Sequence, residues 1–325
     1  MRKKKANSSI AEICEQLKAA EKVAVFCHVR PDGDALGAVT ALATALNNAG
    51  KFAVMCCDDA VPEKYSFLDK MSDVKTKLPE NVEFDTFICV DCADVTRIGS
   101  FANAFTTFKG RRINIDHHIS NKKFADFNCI EECPATCQLL TDIFIQTGFQ
   151  IDREIADLLM LGLITDSGNF THNDVTDKTF ETAALLRKYG ADVNKINYQM
   201  FSRQTKLRAL LFGKVINGMR FALSDKLAYI IVPLEYFGNS GVDSSITEGF
   251  VDFPLTVDEV EVAVSLLEVK KHKYKISLRS KGKVNVNAVA ATFGGGGHVL
   301  ASGCMLKGEL EEVIEKITYA VYQNL

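Results

Sequence analysis

Acidic and imidazole side chains gather in four short clusters of this 325-residue chain. The first is His28-Val29-Arg30-Pro31-Asp32-Gly33-Asp34, with Gly37 following. The second is Asp91, the third Asp116-His117-His118, and the fourth Asp166, inside Gly162 to Phe170 (GLITDSGNF). Three of the six histidines fall in these clusters. Carboxylate and imidazole ligands without thiolates suit Mn²⁺ or Mg²⁺ better than a structural zinc. This many acids in one place would repel one another unless cations neutralised them. Two metal ions about 3.5–4 Å apart, bridged by one carboxylate, account for the number of ligands and would acidify a shared water and clamp the oxygens of a phosphoryl displacement. Taken singly, Asp32-Gly33-Asp34 reads as a turn and Asp91 as a helix N-cap. The conjunction favours a metal site.

Such clusters must be carried to one place by the elements around them. Lys22 to Cys27, Phe52 to Cys57, Thr86 to Val90 and Arg112 to Ile115 are short apolar runs, as expected of strands buried on both faces. Between and after them, 35–48, 134–146, 152–163 and 176–189 have helical composition with Gly stop signals. Strands alternating with helices predict an α/β fold, a mostly parallel sheet with helices on both faces. Three clusters directly follow strands, and in such a sheet the carboxyl ends of the strands converge on one edge where ligands bind.

The texture changes after Gly190. Residues 195–217 read as a helix carrying Arg203, Lys206, Arg208 and Lys214. Strands then follow in succession at 220–223, 227–232, 260–269 and 274–280, with hairpin turns at 224–226 and 270–273. A short helix at 287–292, a glycine run, a strand at 301–306 and a closing helix at 309–323 complete a smaller α+β domain. The expected layout is a metal-binding domain over 1–190, a helical linker over 191–218 and a second domain over 219–325.

Hydrophobic residues make up 47% of the chain, charged residues 24%, and the net charge is −3. That balance belongs to a globular protein and leaves no basic coat for long duplex nucleic acid. The basic start, Met1 to Lys5, is not followed by an apolar core, and no run is long enough to span a bilayer. The ten cysteines lie in apolar runs or helices, which predicts reduced thiols in the cytoplasm. Cys89-Val90-Asp91-Cys92 and the trio Cys129, Cys133, Cys137 lack the second ligand pair of a zinc site and read as buried small hydrophobes. Gly294-Gly295-Gly296-Gly297-His298 reads either as a flexible loop or as a backbone cradle for an anion.

HVRPDGDALG, Asp91 after a strand, NIDHHISN (Asn114 to Asn121) and GLITDSGNF resemble, in order, the successive motifs of the DHH phosphoesterase family. GGGGHVLASG resembles the glycine-rich element of that family's associated C-terminal domain. The resemblance implies that His28, Asp32 and Asp91 hold one divalent ion, and that Asp34, Asp91, His117 and Asp166 hold the other, with Asp91 bridging. It implies Mn²⁺ ahead of Mg²⁺, Asp116 as an orienting residue behind the ligands, and His118 facing the scissile phosphate. Arg279 in the SLRS strand matches an arginine that contacts a substrate phosphate or base, with Asn285 and Asn287 framing the same pocket and Gly294 to His298 in the element of the domain that binds the end of the substrate.

The chain is too short for the extra domains of the larger single-strand nucleases in the family. Its layout resembles compact members that degrade very short oligoribonucleotides to 5′-mononucleotides and dephosphorylate 3′-phosphoadenosine 5′-phosphate. A phosphodiesterase for cyclic or linear dinucleotides of the c-di-AMP/pApA type is the nearest alternative. A manganese pyrophosphatase fits less well, because it lacks the glycine-rich element. A non-catalytic nucleotide-binding regulator would be expected to have lost a ligand, and every motif ligand is present. The sequence leaves open whether the protein is a monomer or a homodimer.

Overall fold

The computed structural model describes residues 7–240 and 244–325; the basic start at Met1 to Lys5 lies outside the described residues. The chain divides into two compact units, one ending at Arg203 and the other spanning Gln204–Leu325.

The first unit contains α1 (Ile10–Ala19), β1 (Lys22–Phe26), α2 (Gly33–Asn48), β2 (Phe52–Cys56), β3 (Thr86–Val90), α3 (Ala102–Thr107), β4 (Arg111–Asp116), β5 (Phe127–Ile130), α4 (Thr136–Thr147), α5 (Arg153–Asp166), α6 (Asp177–Lys188) and α7 (Val193–Asn197). The strands form a parallel sheet in the order β2-β1-β3-β4-β5. β1, β2 and β3 are apolar apart from Lys22 and Thr86 because both faces are covered, while β4 and β5 carry the buried polar residues Asn114, Asp116 and Asn128. Val23, Val25, Ile88, Val90, Ile113 and Ile115 join the core made with α1, α2, α4 and α5. Ala24, Phe26, Phe87 and Cys89 pack on the other side against Phe101 and Phe105. From β1 the chain goes first to one side, β2, and then to the other, β3. The crevice of such a sheet opens beyond the carboxyl ends at this reversal.

β5 carries no apolar signal in the sequence strong enough to announce it. Its buried Asn128 is tolerated because the side-chain amide both accepts from and donates to the backbone of Ala125, at 3.0 Å each. α2 and α5 approach closely at glycines. A Cβ on Gly37 would stand 2.5 Å from the Leu158 carbonyl, and one on Gly162 would strike Cys137 Sγ and Asp34 Oδ1.

The helix expected over 195–217 is interrupted. α7 ends at Asn197, a π-helical turn covers Tyr198–Ser202, Arg203 is extended, and Thr205 caps a new helix, α8 (Lys206–Asn217). The division between the two units falls in this break.

The second unit continues from α8 with β6 (Arg220–Ala222), β7 (Leu227–Val232), β8 (Val262–Lys270), β9 (Lys273–Ser280), α9 (Val286–Ala291), β10 (Gly296–Gly297), β11 (Ala301–Lys307) and α10 (Leu310–Tyr322). Its sheet runs β10-β11-β9-β8-β7-β6, with β7 and β8 parallel and the other pairs antiparallel. One face packs on α9 and α10, and part of the other packs on Leu211 and Val215 of α8. The ten cysteines are free thiols, nine buried and Cys133 half-buried. Among the described residues no helix is long and apolar enough to cross a membrane.

Candidate metal centre

His28 follows β1, Asp91 follows β3, Asp116 ends β4, and Asp32 and Asp34 sit at the start of α2. Asp166 is the last residue of α5. Three groups of these side chains come within ligating reach of a common point: His28, Asp32 and Asp91; Asp34, His117 and Asp166; and Asp91, Asp116, His117 and His118.

Asp91 is central. One of its oxygens lies 3.4 Å from His28 Nε2 and the other 3.5 Å from His117 Nε2. Its backbone is left-handed at φ 55, a conformation that costs a non-glycine residue about 1–3 kcal/mol and persists where surroundings enforce it. Here its N–H is tied to the Ile115 carbonyl at 3.0 Å, and Thr136 Oγ1 donates to the carboxylate at 3.1 Å.

Each histidine is oriented from behind. His28 Nδ1 donates to the Val29 carbonyl at 2.9 Å, and His117 Nδ1 to the Cys133 carbonyl at 2.8 Å. Both bonds put the hydrogen on Nδ1 and aim Nε2 at the acids, the arrangement a metal-binding imidazole requires. His28 Nε2 also lies 3.4 Å from Asp32, and His117 Nε2 3.3 Å from Asp166.

Two of the acids also serve the backbone. Asp32 is the N-cap of α2, with Oδ1 accepting from Ala35 N–H at 3.0 Å while Oδ2 faces His28. Asp34 caps α4 across the fold, accepting from Thr136 N–H at 2.6 Å and Cys137 N–H at 2.9 Å. Asp32 and Asp34 therefore cap helices while facing the cluster, whereas Asp91, which taken singly reads as an N-cap, caps no helix: that place after β3 is held by Asp94.

Behind the cluster, fully buried Asp116 accepts from His118 Nδ1 at 2.7 Å and from Asn121 Nδ2 at 2.6 Å. Asn121 also donates to Asn114, whose own amide reaches the Cys89 and Cys92 carbonyls at 3.3 Å. Asn114, Asn121 and Thr136 had no assigned role in the sequence. The only signal was an asparagine inside an otherwise apolar strand. His118 is 43% exposed and is the cluster's most open imidazole.

The donor set fits divalent ions. Five carboxylates and three imidazoles converge, and among the described residues none of these acids pairs with a lysine or arginine. The imbalance appears in the titration of the groups. Burial opposes charge on His28, but hydrogen bonds to Asp32 and Asp91 raise it to about 11. His117 is likewise raised to about 10 against burial, chiefly by Asp91 and Asp34. Burial, then Asp91 and Asp166, push the Asp34 carboxyl well above the usual range. Burial and the neighbouring acids raise Asp166 to about 6. Asp91 is held below the ordinary carboxylate value, its bonds to His117 and His28 outweighing burial.

The remaining sequence-derived residues lie in the second unit. Arg279 lines an open pocket of about 390 Å³ with Lys275, Ser277, Ser265 and Glu248. Its Nε donates to Asp252 at 3.0 Å. Asn285 spends its side-chain oxygen capping α9, accepting from Asn287 and Ala288 N–H. Gly296 and Gly297 pair with Gly303 and Ser302 of β11, and a Cβ on Gly297 would stand 2.5 Å from the Ala301 carbonyl. His298 closes this hairpin, its N–H donating to the Ala301 carbonyl at 2.8 Å.

The chain matches the model of the DHH family N-terminal domain over residues 22–163 and that of the DHHA1 domain over 225–323. A Thermus thermophilus protein named bifunctional oligoribonuclease and PAP phosphatase NrnA is 31% identical, over 96% of this chain and 93% of its own length. A Streptococcus mutans protein named probable bifunctional oligoribonuclease and PAP phosphatase NrnA is 29% identical, over 90% and 91%. The crystal structure of an exopolyphosphatase-related protein from Bacteroides fragilis superposes with a TM-score of 0.82 at 28% identity, covering 97% of this chain and 95% of that one.

Proposed function

This chain belongs to the DHH family, and from that premise we propose that it hydrolyses phosphoester bonds in short oligoribonucleotides, releasing 5′-mononucleotides, and in 3′-phosphoadenosine 5′-phosphate. The observation that carries the reading is Asp91, which offers one oxygen toward His28 and the other toward His117. Two divalent ions, Mn²⁺ ahead of Mg²⁺, fit this donor set. His28, Asp32 and Asp91 would hold one, and Asp34, Asp91, His117 and Asp166 the other. When bound, such ions supply Lewis acidity to phosphoryl oxygens and acidify water.

The chain's own groups do the rest. The Val29 and Cys133 carbonyls fix the tautomers of His28 and His117. Asp116 keeps a proton on His118 Nδ1, and its hydrogen bond raises the His118 pKa above the ordinary value. A half-exposed imidazole whose protonated form is favoured in this way offsets charge on the scissile phosphate or gives its proton to the leaving oxygen. In the second unit Arg279, Asn285 and the Gly294 to His298 hairpin are assigned to substrate binding; for Arg279 the support is the open pocket it lines with Lys275 and Glu248, while Gly294 and Gly295 line a separate one.

The test is phosphate and mononucleotide release with Mn²⁺ from RNAs graded from dimer to long single strand, from 3′-phosphoadenosine 5′-phosphate, from a cyclic dinucleotide and from pyrophosphate. Preference for the shortest RNAs together with the bisphosphate supports the proposal. Turnover confined to dinucleotides would replace it with the dinucleotide phosphodiesterase reading. Release from none of them would sink it.

A further inference from the structure

We propose that His172 is a positioning residue for the metal centre, aiming the Asp166 carboxylate by holding the backbone carbonyl at the end of α5. The inference rests on the two-ion reading and adds to it a residue outside the three ligating groups.

The acids of the cluster are anchored unequally. Asp32 accepts from Ala35 N–H, Asp34 from Thr136 and Cys137 N–H, Asp91 from Thr136 Oγ1, and Asp116 from Asn121. Among the described residues the Asp166 carboxylate takes no such bond, and its partner is His117 Nε2 at 3.3 Å. Asp166 is also the last residue of its helix, where the backbone frays most easily. Its aim therefore follows its own main chain.

The last carbonyls of a helix have no partner within it and must find one beyond its end. Here Ser167 N–H donates to the Leu163 carbonyl at 3.2 Å, Asn169 N–H to Ile164 at 2.8 Å and Gly168 N–H to Thr165 at 3.3 Å. The Asp166 carbonyl is met by a side chain instead: His172 Nδ1 donates to it at 2.9 Å. The peptide plane joining Asp166 to Ser167 is thus held at both edges, by Leu163 at its N–H and by His172 at its carbonyl. Without His172 the plane would pivot about the remaining bond, and the Asp166 side chain would swing with it.

A strained turn brings His172 back to the helix end. Gly168, Asn169 and Phe170 are all left-handed, with φ of 57, 56 and 65. Non-glycine residues keep that conformation where their surroundings enforce it, and such strain gathers at functional sites. The enforcing contacts are present. Phe170 N–H donates to Ser167 Oγ at 3.1 Å, Thr171 Oγ1 to the Gly168 carbonyl at 2.6 Å, and Asn197 Nδ2 to Asn169 Oδ1 at 2.8 Å. Phe170 packs on the core and stacks on Phe180. The imidazole lies against Gly168, where a Cβ would stand 2.3 Å from His172 Nε2. Glycine is required at 168 by the ring as well as by its φ.

The experiment titrates Mn²⁺ into the full chain by calorimetry and follows melting in EDTA. His172→Phe keeps a ring over Gly168 and loses the donor. His172→Asn keeps an amide donor close to the place of Nδ1 and loses the ring. The wild type is expected to bind two ions. His172→Phe should melt like the wild type in EDTA yet bind one of the two ions about 10–100-fold more weakly, and His172→Asn should recover most of that loss. Asp166→Asn should weaken the same binding step, and adding His172→Phe to it should cost nothing further, because the two residues act as one unit. Wild-type affinities in His172→Phe, an Asn variant that binds no better than Phe, or losses that add in the double variant overturn the positioning role and leave the hydrolase reading standing. A wild type that binds fewer than two ions overturns it together with the two-ion reading.

Discussion

Asp116 is fully buried, and its Oδ1 sits 2.7 Å from Nδ1 of the half-exposed His118. Its other oxygen takes a hydrogen from Asn121. In Asp116→Asn, the Asn121 amino group would keep the new carbonyl oxygen, turning the new amino group toward His118. Nδ1 would then have to accept, and the ring would take the opposite tautomer. The variant should fold and bind substrate while kcat falls about 10²–10³-fold, within the range of a lost general acid. The hydrogen bond that His118 donates to Asp116 raises the His118 pKa, so its loss should move the alkaline limb of the kcat–pH profile to lower pH. A limb that stays put would remove His118 as the titrating acid.

Metal-free protein is expected to lose stability as pH rises. Asp166 is raised from 3.8 to about 6, so the folded chain holds a proton there that the unfolded chain has released. That contribution is present below the unfolded value and lost as pH passes through the folded one. His28 and His117, raised to about 11 and about 10, act with the same sign, being fully stabilising below 6.5 and fading toward their folded values. Asp91 has the opposite sign, but only below its ordinary 3.8. Melting temperatures in EDTA should therefore fall over roughly pH 4 to 6 and beyond. Asp166→Asn should flatten the lower part of that slope.

Metal binding should reverse the trend and release protons. Imidazoles bind metals in their neutral form. With His28 and His117 protonated at neutral pH and the Asp34 carboxyl raised as well, saturation with Mn²⁺ should expel two protons or more, and affinity should weaken as pH falls. Calorimetry in buffers of different ionisation enthalpy reads the number directly. Mn²⁺ at a hundredfold excess over its Kd should also add about 2.7 kcal/mol of stability for each ion bound. A heat independent of buffer would mean that these imidazoles are not ligands.

Much of the cluster's placement was legible in the sequence because apolar runs mark strands, and strand ends in a parallel sheet share an edge. His28 and Asp91 follow β1 and β3, at the point where the strand order reverses. The supporting partners were not legible. Asp34 meets Thr136 and Cys137 about a hundred residues later, and the Cys133 carbonyl orients His117, contacts that no local spacing encodes. β5 was missed because its central Asn128 makes its own turn contacts. The break at Tyr198–Ser202 was missed because composition there remains helical up to the uncapped turn.

Arg279 donates to Asp252 at 3.0 Å and lines an open pocket of the second unit. If it binds substrate equally in the ground and transition states, Arg279→Ala should raise KM several-fold and leave kcat within about twofold. A fall in kcat with KM constant would instead mean an interaction made only in the transition state.

Gly162 tests whether close packing sets the metal site. A Cβ there would stand 2.5 Å from Asp34 Oδ1 and press on Cys137 Sγ. Both groups belong to the contact in which Asp34 caps α4. Gly162→Ala is therefore expected to cost about 1–3 kcal/mol by overpacking. Relief requires Asp34 to move, and Asp34 shares a ligating position with His117 and Asp166. Mn²⁺ affinity should drop along with stability. Gly213→Ala is the control: it lies in α8 with nothing within 4 Å, and alanine there should stabilise by about 0.5–1 kcal/mol. If Gly162→Ala lowers the melting temperature but binds Mn²⁺ like the wild type, the carboxylate is not positioned by this contact.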